Sequence, residues 1–174
     1  MKELRNKSKA ETLIILNKTI SNFNIPKTYF FDVNKFNKKK NKILKKIKKE
    51  FNNLVAIRSS NKFEDSNISS NAGKFKSFLN IDPKNSSIVE KTIKEVIKSY
   101  SRHKSKKNQI LIQSMVKNVK TSGVCTSCDL ETYFPAYQIN YFEGKDTEAV
   151  TSGKPNTKKI IFVENNKYRL RNKN

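Results

Sequence analysis

The chain has 174 residues, 37 of them Lys or Arg against 15 Asp or Glu, which gives a net charge of +22, and only 35% are apolar. That length supports one domain or two small subdomains with a real core, and four Gly and four Pro exclude a collagen-like or low-complexity chain. No apolar run approaches the ~20 residues of a spanning helix, and the charged opening MKELRNKSKAETLIIL lacks a signal-peptide pattern, so a cytoplasmic location is expected.

In chain order, residues 8–22 carry an apolar stripe (Leu13, Ile14, Leu16, Ile20) at helical spacing, ended by Asn24-Ile25-Pro26. TYFFDV, residues 28–33, is rich in β-formers and predicts a strand. A second helix is expected over 35–51, with Phe36, Ile43, Leu44, Ile47 and Phe51 on one face and lysines on the rest. LVAI, residues 54–57, reads as a buried strand that runs into Arg58-Ser59-Ser60. A polar loop then extends to Ala72-Gly73, followed by a strand over 75–81. Ser87 and Glu90 have the spacing of a capping box, opening a helix to about Tyr100 with Ile88, Ile93, Val96, Ile97 and Tyr100 inward. After a charged connector, strands are expected over 109–116, 123–126, 136–141, 148–151, 159–163 and 168–171. The fold class is therefore α+β, with helices packed on a mostly antiparallel sheet. Its parts divide into an N-terminal subdomain, residues 1–104, and a β-rich second part, residues 105–174.

The basic balance makes nucleic acid or an anionic membrane a candidate partner. Yet Arg occurs at only five positions, Arg5, Arg58, Arg102, Arg169 and Arg171, whereas close phosphate or base recognition favours its planar fork. Lys accompanied by Asn, Ile and Phe is also what AT-rich coding imposes on any protein, and that is the simpler cause of the charge. The Lys-rich helix reads as an ordinary solvated surface helix. Cys125 and Cys128 form a lone C-x-x-C; with His103 the sole histidine, four zinc ligands are not assembled, and no metal site is assigned.

One segment carries chemistry: VAIRSSNKFEDSNISSNAGKFKSFLNI, residues 55–81. An apolar strand delivers a single Arg58, which can hold two phosphate oxygens at once. Ser59, Ser60 and Ser70 offer hydroxyl donors, and Gly73 lets backbone N–H groups approach an anion. By residue type alone, an ordinary strand-to-loop connection with a surface arginine explains the segment equally well.

The order Arg58-Ser59-Ser60, Glu64-Asp65-Ser66, Ser70-Asn71-Ala72-Gly73 and Phe78-Leu79-Asn80 resembles the N-terminal domain of phosphoenolpyruvate synthases, pyruvate phosphate dikinases, rifampin phosphotransferases and glucan water dikinases. Lys7-Ser8-Lys9-Ala10-Glu11-Thr12-Leu13 falls where that family has Gly-Gly-Lys-Gly-x-x-Leu; Lys9 matches its ATP-contacting lysine, and the glycines are missing. Gln113-Ser114-Met115-Val116 is similar to the family's Gln-x-Met-Val, and Gly123-Val124-Cys125-Thr126-Ser127 to its Gly-Val-x-Phe-Thr strand, with the Phe-Thr pair altered. Pro135-Ala136-Tyr137-Gln138-Ile139-Asn140-Tyr141 and Thr147-Glu148-Ala149-Val150-Thr151-Ser152-Gly153 resemble a narrower subgroup of phosphoenolpyruvate-utilising proteins. The resemblance covers residues 7–163.

It implies an ATP-grasp-like nucleotide-binding domain, incomplete here, with ATP as ligand. Lys9, Arg58, Ser59, Ser60, Ser70 and Gly73 would lie at the phosphates, and Gln113, Met115 and Val116 beside the adenine. The family passes a phosphoryl group from ATP to a histidine on a separate domain and on to pyruvate or another acceptor, with Mg²⁺. Its metal carboxylates and phosphohistidine motif have no counterpart before Asn174. The expectation is therefore an ATP-binding fragment or split subunit, completed by a second chain and with no catalytic residue assigned. The alternatives are a degenerate non-catalytic domain and a basic nucleic-acid-binding protein. The first reading requires Lys9, Arg58 and Gln113 to converge; the last requires lysines clustered on one face with exposed aromatics.

Overall fold

The computed structural model describes residues 7–61, 76–100, 108–129, 132–153 and 156–162. The element order is α1 (Lys9–Thr19), β1 (Thr28–Asp32), α2 (Val33–Glu50), β2 (Val55–Ser60), β3 (Ser77–Ile81), α3 (Ser86–Ser99), β4 (Gln109–Ser114), β5 (Thr121–Thr126), β6 (Tyr137–Glu143) and β7 (Lys158–Phe162). The expected strand over 168–171 lies outside the described residues.

The chain divides into two compact units after Met115, eleven residues beyond the boundary read from the sequence at 104/105. The reason is β4. It lies inside the sheet of the first unit, antiparallel to β1 on one side and to β2 on the other, while β3 extends the sheet beyond β2. A strand bonded on both edges cannot belong to a separate unit.

The pleat sorts the side chains of this sheet. Val55 and Ile57 of β2, Ile110 and Ile112 of β4 and Phe31 of β1 point to one face. There they meet Phe36, Ile43, Leu44 and Ile47 of α2 and Val89, Ile93, Val96 and Tyr100 of α3. Both helices are strongly amphipathic, so they bury one stripe and leave their charges in water. Phe31 and Phe36 stack with ring centroids 5.8 Å apart. α2 follows β1 directly, its first amide Val33 N–H donating to the Asn108 carbonyl at 3.0 Å, and it is kinked at Lys39.

α3 starts differently from the sequence expectation. Asn85, rather than Ser87, is the N-cap, accepting from Ile88 N–H at 3.1 Å. Asn is as good a cap as Ser, and moving the cap two residues earlier places Glu90 on the outer helix surface. There it binds Lys40 at 3.0 Å and Lys94 at 2.7 Å. In β3 the backbone of Asn80 takes φ +57, a conformation that Asn tolerates better than most residues with a Cβ.

The second unit holds the three-stranded antiparallel sheet β5-β6-β7, with no helix among its described residues. Gly123 faces Tyr141 across β5 and β6, and a Cβ there would meet the Asn140 carbonyl oxygen at 2.6 Å. Lys158 reaches over the Tyr141 ring at 5.8 Å from the next strand. The strand expected over 148–151 is instead a turn: Ser152 N–H donates to the Glu148 carbonyl at 2.8 Å and Gly153, at φ +68, closes it. Ala149 in that turn is fully buried, so its apolar character serves burial rather than a strand.

Candidate functional site

The face of the first sheet opposite α2 and α3 carries Ala56, Arg58 and Ser60 of β2, and Gln109, Leu111 and Gln113 of β4. The register pairs them directly: Ala56 with Gln113, Arg58 with Leu111, Ser60 with Gln109. Strand periodicity thus puts Arg58, Ser60 and Gln113 on one surface and sends Ser59 to the other, where it is 4% exposed on the face of Ile57.

α1 lies against this second face through its first turn. Ala10 N–H donates to Ser60 Oγ at 3.0 Å, and Ser8 Oγ–H donates to Gln109 Oε1 at 2.7 Å. Ser8 is also the N-cap: its Oγ accepts from Glu11 N–H at 3.2 Å while its own N–H donates to the Glu11 carboxylate at 3.0 Å. The sequence Ser8-Lys9-Ala10-Glu11 is therefore a reciprocal capping box. The glycines that the resembled family carries at this point, missing here, would have offered bare backbone N–H groups. Here the amides of Ala10 and Glu11 are already satisfied within the protein. Lys9, at the first helical position, remains exposed.

A buried hub ties these parts together. The Tyr100 hydroxyl, from the end of α3, accepts from Ser60 N–H at 2.7 Å and donates to the Gln109 carbonyl at 2.7 Å. One pair further out, Asn61 Nδ2 donates to Asn108 Oδ1. Both asparagines are almost fully buried. Sequence reading assigned Tyr100 only to the core and left Ser8, Asn61, Asn108 and Gln109 without roles. The S-x-x-E spacing at Ser8 was the available signal.

Arg58 is partly buried, and its Nε is a fully enclosed donor with no hydrogen-bond partner among the described residues. A buried guanidinium N–H without an acceptor costs on the order of 1–3 kcal/mol. Ser70 and Gly73, the remaining expected phosphate residues, lie outside the described residues. At the far end of β4, Gln113 is half-buried, and Met115 N–H donates to the Leu54 carbonyl at 2.8 Å. Val116, the first residue of the second unit, is 61% exposed. A cavity of about 210 Å³ lies between α1 and the approach to β1, lined by Leu13, Ile14, Asn17, Pro26 and Thr28. It is smaller than the ~300–1,000 Å³ of sites for drug-sized ligands and does not include Arg58.

A family model described as the pyruvate phosphate dikinase AMP/ATP-binding domain matches residues 10–173. The chain belongs to that family. The match covers nearly the whole sequence, so the motifs around Arg58 and Gln113 sit inside a continuous family domain rather than in an isolated segment. No curated protein matches the chain significantly. The α+β architecture with antiparallel sheets agrees with an ATP-grasp-like nucleotide-binding domain. As a member of the pyruvate phosphate dikinase AMP/ATP-binding domain family, the chain is assigned ATP as its ligand class. No helix of the described residues is long and apolar enough to cross a membrane. Cys125 and Cys128 are free thiols, and no group of three or more potential metal-ligating residues occurs among the described residues.

Proposed function

We propose that the first unit holds the phosphates of ATP on the α1-facing side of its sheet, through Arg58 and Lys9, with the fully buried Ser60 holding the start of α1 in place, and with Gln113 and the chain at Met115 toward the adenine. The observation that supports this reading is that Arg58 shares a sheet face with Gln113 and with Ser60, whose Oγ holds the start of α1 beside Lys9. Arg58 supplies the positive charge and directional N–H donors. Because the α1 amides are already capped, Lys9 contributes through its ammonium group rather than through the backbone. Ser59 takes no part, while Ser70 and Gly73 keep the phosphate role that the family resemblance implies.

In this reading the chain is the ATP-binding part of a phosphotransferase of the pyruvate phosphate dikinase or phosphoenolpyruvate synthase type. Mg²⁺ accompanies the nucleotide, and the phosphoryl group passes to a histidine on a separate domain. The role of the present residues is to neutralise and orient the polyphosphate, the main protein contribution in phosphoryl transfer.

Titration calorimetry with ATP and Mg²⁺ tests the reading, on wild type, Arg58→Ala and Gln113→Ala. Loss of a charge-assisted contact of about 1.5–3 kcal/mol predicts weakening of roughly 10- to 150-fold for Arg58→Ala. Saturable binding that is indifferent to Arg58 overturns the site. Absence of binding by correctly folded wild type favours a degenerate domain.

A further inference from the structure

The outer surface of α2 has no role in the nucleotide site, which lies across the sheet from it. This helix carries nine lysines and a single acidic residue, Glu50. Lys40 pairs with Glu90 and Lys46 with Glu50, while the other seven have no ion pair among the described residues. Beyond the kink at Lys39, Lys42, Lys45 and Lys49 follow at spacings of three and four, forming one exposed stripe, and Lys35 and Lys38 precede them on the first turns. Like charges at these spacings repel one another and destabilise a helix. The fold leaves that repulsion uncompensated, which a polyanion laid on the surface would relieve.

The chemistry of the surface discriminates among polyanions. A membrane-surface helix needs its apolar side free for insertion, but Phe36, Ile43, Leu44 and Ile47 are consumed by the core. No large apolar residue of α2 is exposed, so nothing on it can anchor in lipid or stack an unpaired base. What remains is a convex helix surface, kinked once at Lys39, with lysine and asparagine heads and no arginine to read base edges. An α-helix fits the major groove of B-form DNA, whereas the deep, narrow major groove of A-form RNA does not admit it. We propose that the α2 surface of this chain is a sequence-independent docking site for duplex DNA, independent of the nucleotide site on the other side of the sheet.

Fluorescence anisotropy of a labelled 20-base-pair DNA duplex, titrated with the full chain at several salt concentrations, tests the proposal. One variant combines Lys38→Gln, Lys42→Gln, Lys45→Gln and Lys49→Gln. A charge-matched control combines Lys117→Gln, Lys120→Gln, Lys145→Gln and Lys159→Gln, all at exposed positions of the second unit. The α2 variant is expected to lose at least about tenfold in affinity, and its slope of log K against log salt to fall by about 3–4, while the control changes less than about threefold. Equal losses in the two variants would show an effect of net charge alone and overturn the proposal. So would equal or tighter binding of duplex RNA, of single strands, or of phosphatidylserine vesicles. Circular dichroism checks that the variants fold. Acetylation footprinting of wild type gives an answer without any substitution: bound duplex should protect the α2 lysines, and uniform protection over the chain would contradict the assignment. ATP at saturation is expected to leave DNA affinity unchanged.

Discussion

The hydroxyl of Tyr100 stands between Ser60 N–H and the Gln109 carbonyl, 2.7 Å from each, at the last pair of the β2–β4 ladder. A phenol here does the work of a backbone rung. It holds the two strand ends at the separation that lets Ser60 Oγ meet Ala10 N–H and Gln109 Oε1 meet Ser8. Replacing Tyr100 by Phe keeps the ring in the core and orphans two buried backbone groups. A loss of about 1–3 kcal/mol is expected in urea unfolding, with faster amide exchange at Ser60 and Ala10. ATP affinity should fall as well, since Lys9 and Arg58 are both positioned from this hub. An unchanged exchange rate at Ala10 would show that α1 is held by other contacts.

Ser59 and Ser60 are adjacent in sequence and opposite in consequence. Ser60→Ala removes the acceptor of a buried amide and is expected to cost about 1–2 kcal/mol and weaken ATP binding. Ser59 lies on the core face, so Ser59→Ala should leave ATP affinity within about twofold. Calorimetry on the two variants compares them directly; a larger loss at Ser59 would contradict the face assignment.

Glu90 predicts a pH effect on stability. Hydrogen bonds from Lys94 and Lys40 hold its carboxyl below the ordinary value of 4.5. A carboxylate whose pKa is lower in the folded state stabilises the fold above the unfolded pKa, and that contribution is lost as pH falls through the folded value. Glu90→Gln should therefore flatten the acid side of the stability profile below about pH 5 and leave its neutral-to-basic slope unchanged. The effect is small because Glu90 lies at the surface, where solvent screens its ion pairs with Lys40 and Lys94. Carboxyl chemical shifts through an NMR titration check the direction, and a midpoint at or above 4.5 would refute it.

In the second unit, Gly123→Ala would push a methyl group to 2.6 Å from the Asn140 carbonyl oxygen and 3.1 Å from Tyr141 Cβ. The β5–β6 ladder has to shift to accommodate it, at a cost of about 1–3 kcal/mol. Limited proteolysis should then cut within the second unit first. Equal resistance in wild type and variant would mean that the strands separate without strain.

Most elements were legible because their periodicity is local. α2 and α3 announce themselves by apolar residues three and four apart, and β2 and β4 by short apolar runs. The misread strand at 148–151 had β-formers at Val150 and Thr151, but Gly153 and the Glu148 carbonyl close a turn there. The start of α3 was misread because two good caps, Asn85 and Ser87, compete two residues apart; Asn85 takes the cap, and Glu90 pairs with Lys40, fifty residues away in sequence.

For the site, the sequence by itself determined the residue types and the family: Arg-Ser-Ser at the end of an apolar strand, Gln-x-Met-Val at the end of another, and a lysine at a helix start. Covalent order and spacing carry that information, and a family match over residues 10–173 needs nothing more. Only the tertiary structure decided which of those residues share a surface. Antiparallel register set Ser60 opposite Gln109 and Ala56 opposite Gln113, pleating separated Ser59 from Arg58, and burial brought in Tyr100, Ser8 and Gln109 as the polar groups that hold α1 in place. Those relationships join residues 40 to 101 positions apart, where local propensity has no influence and buried hydrogen-bond satisfaction makes the choice.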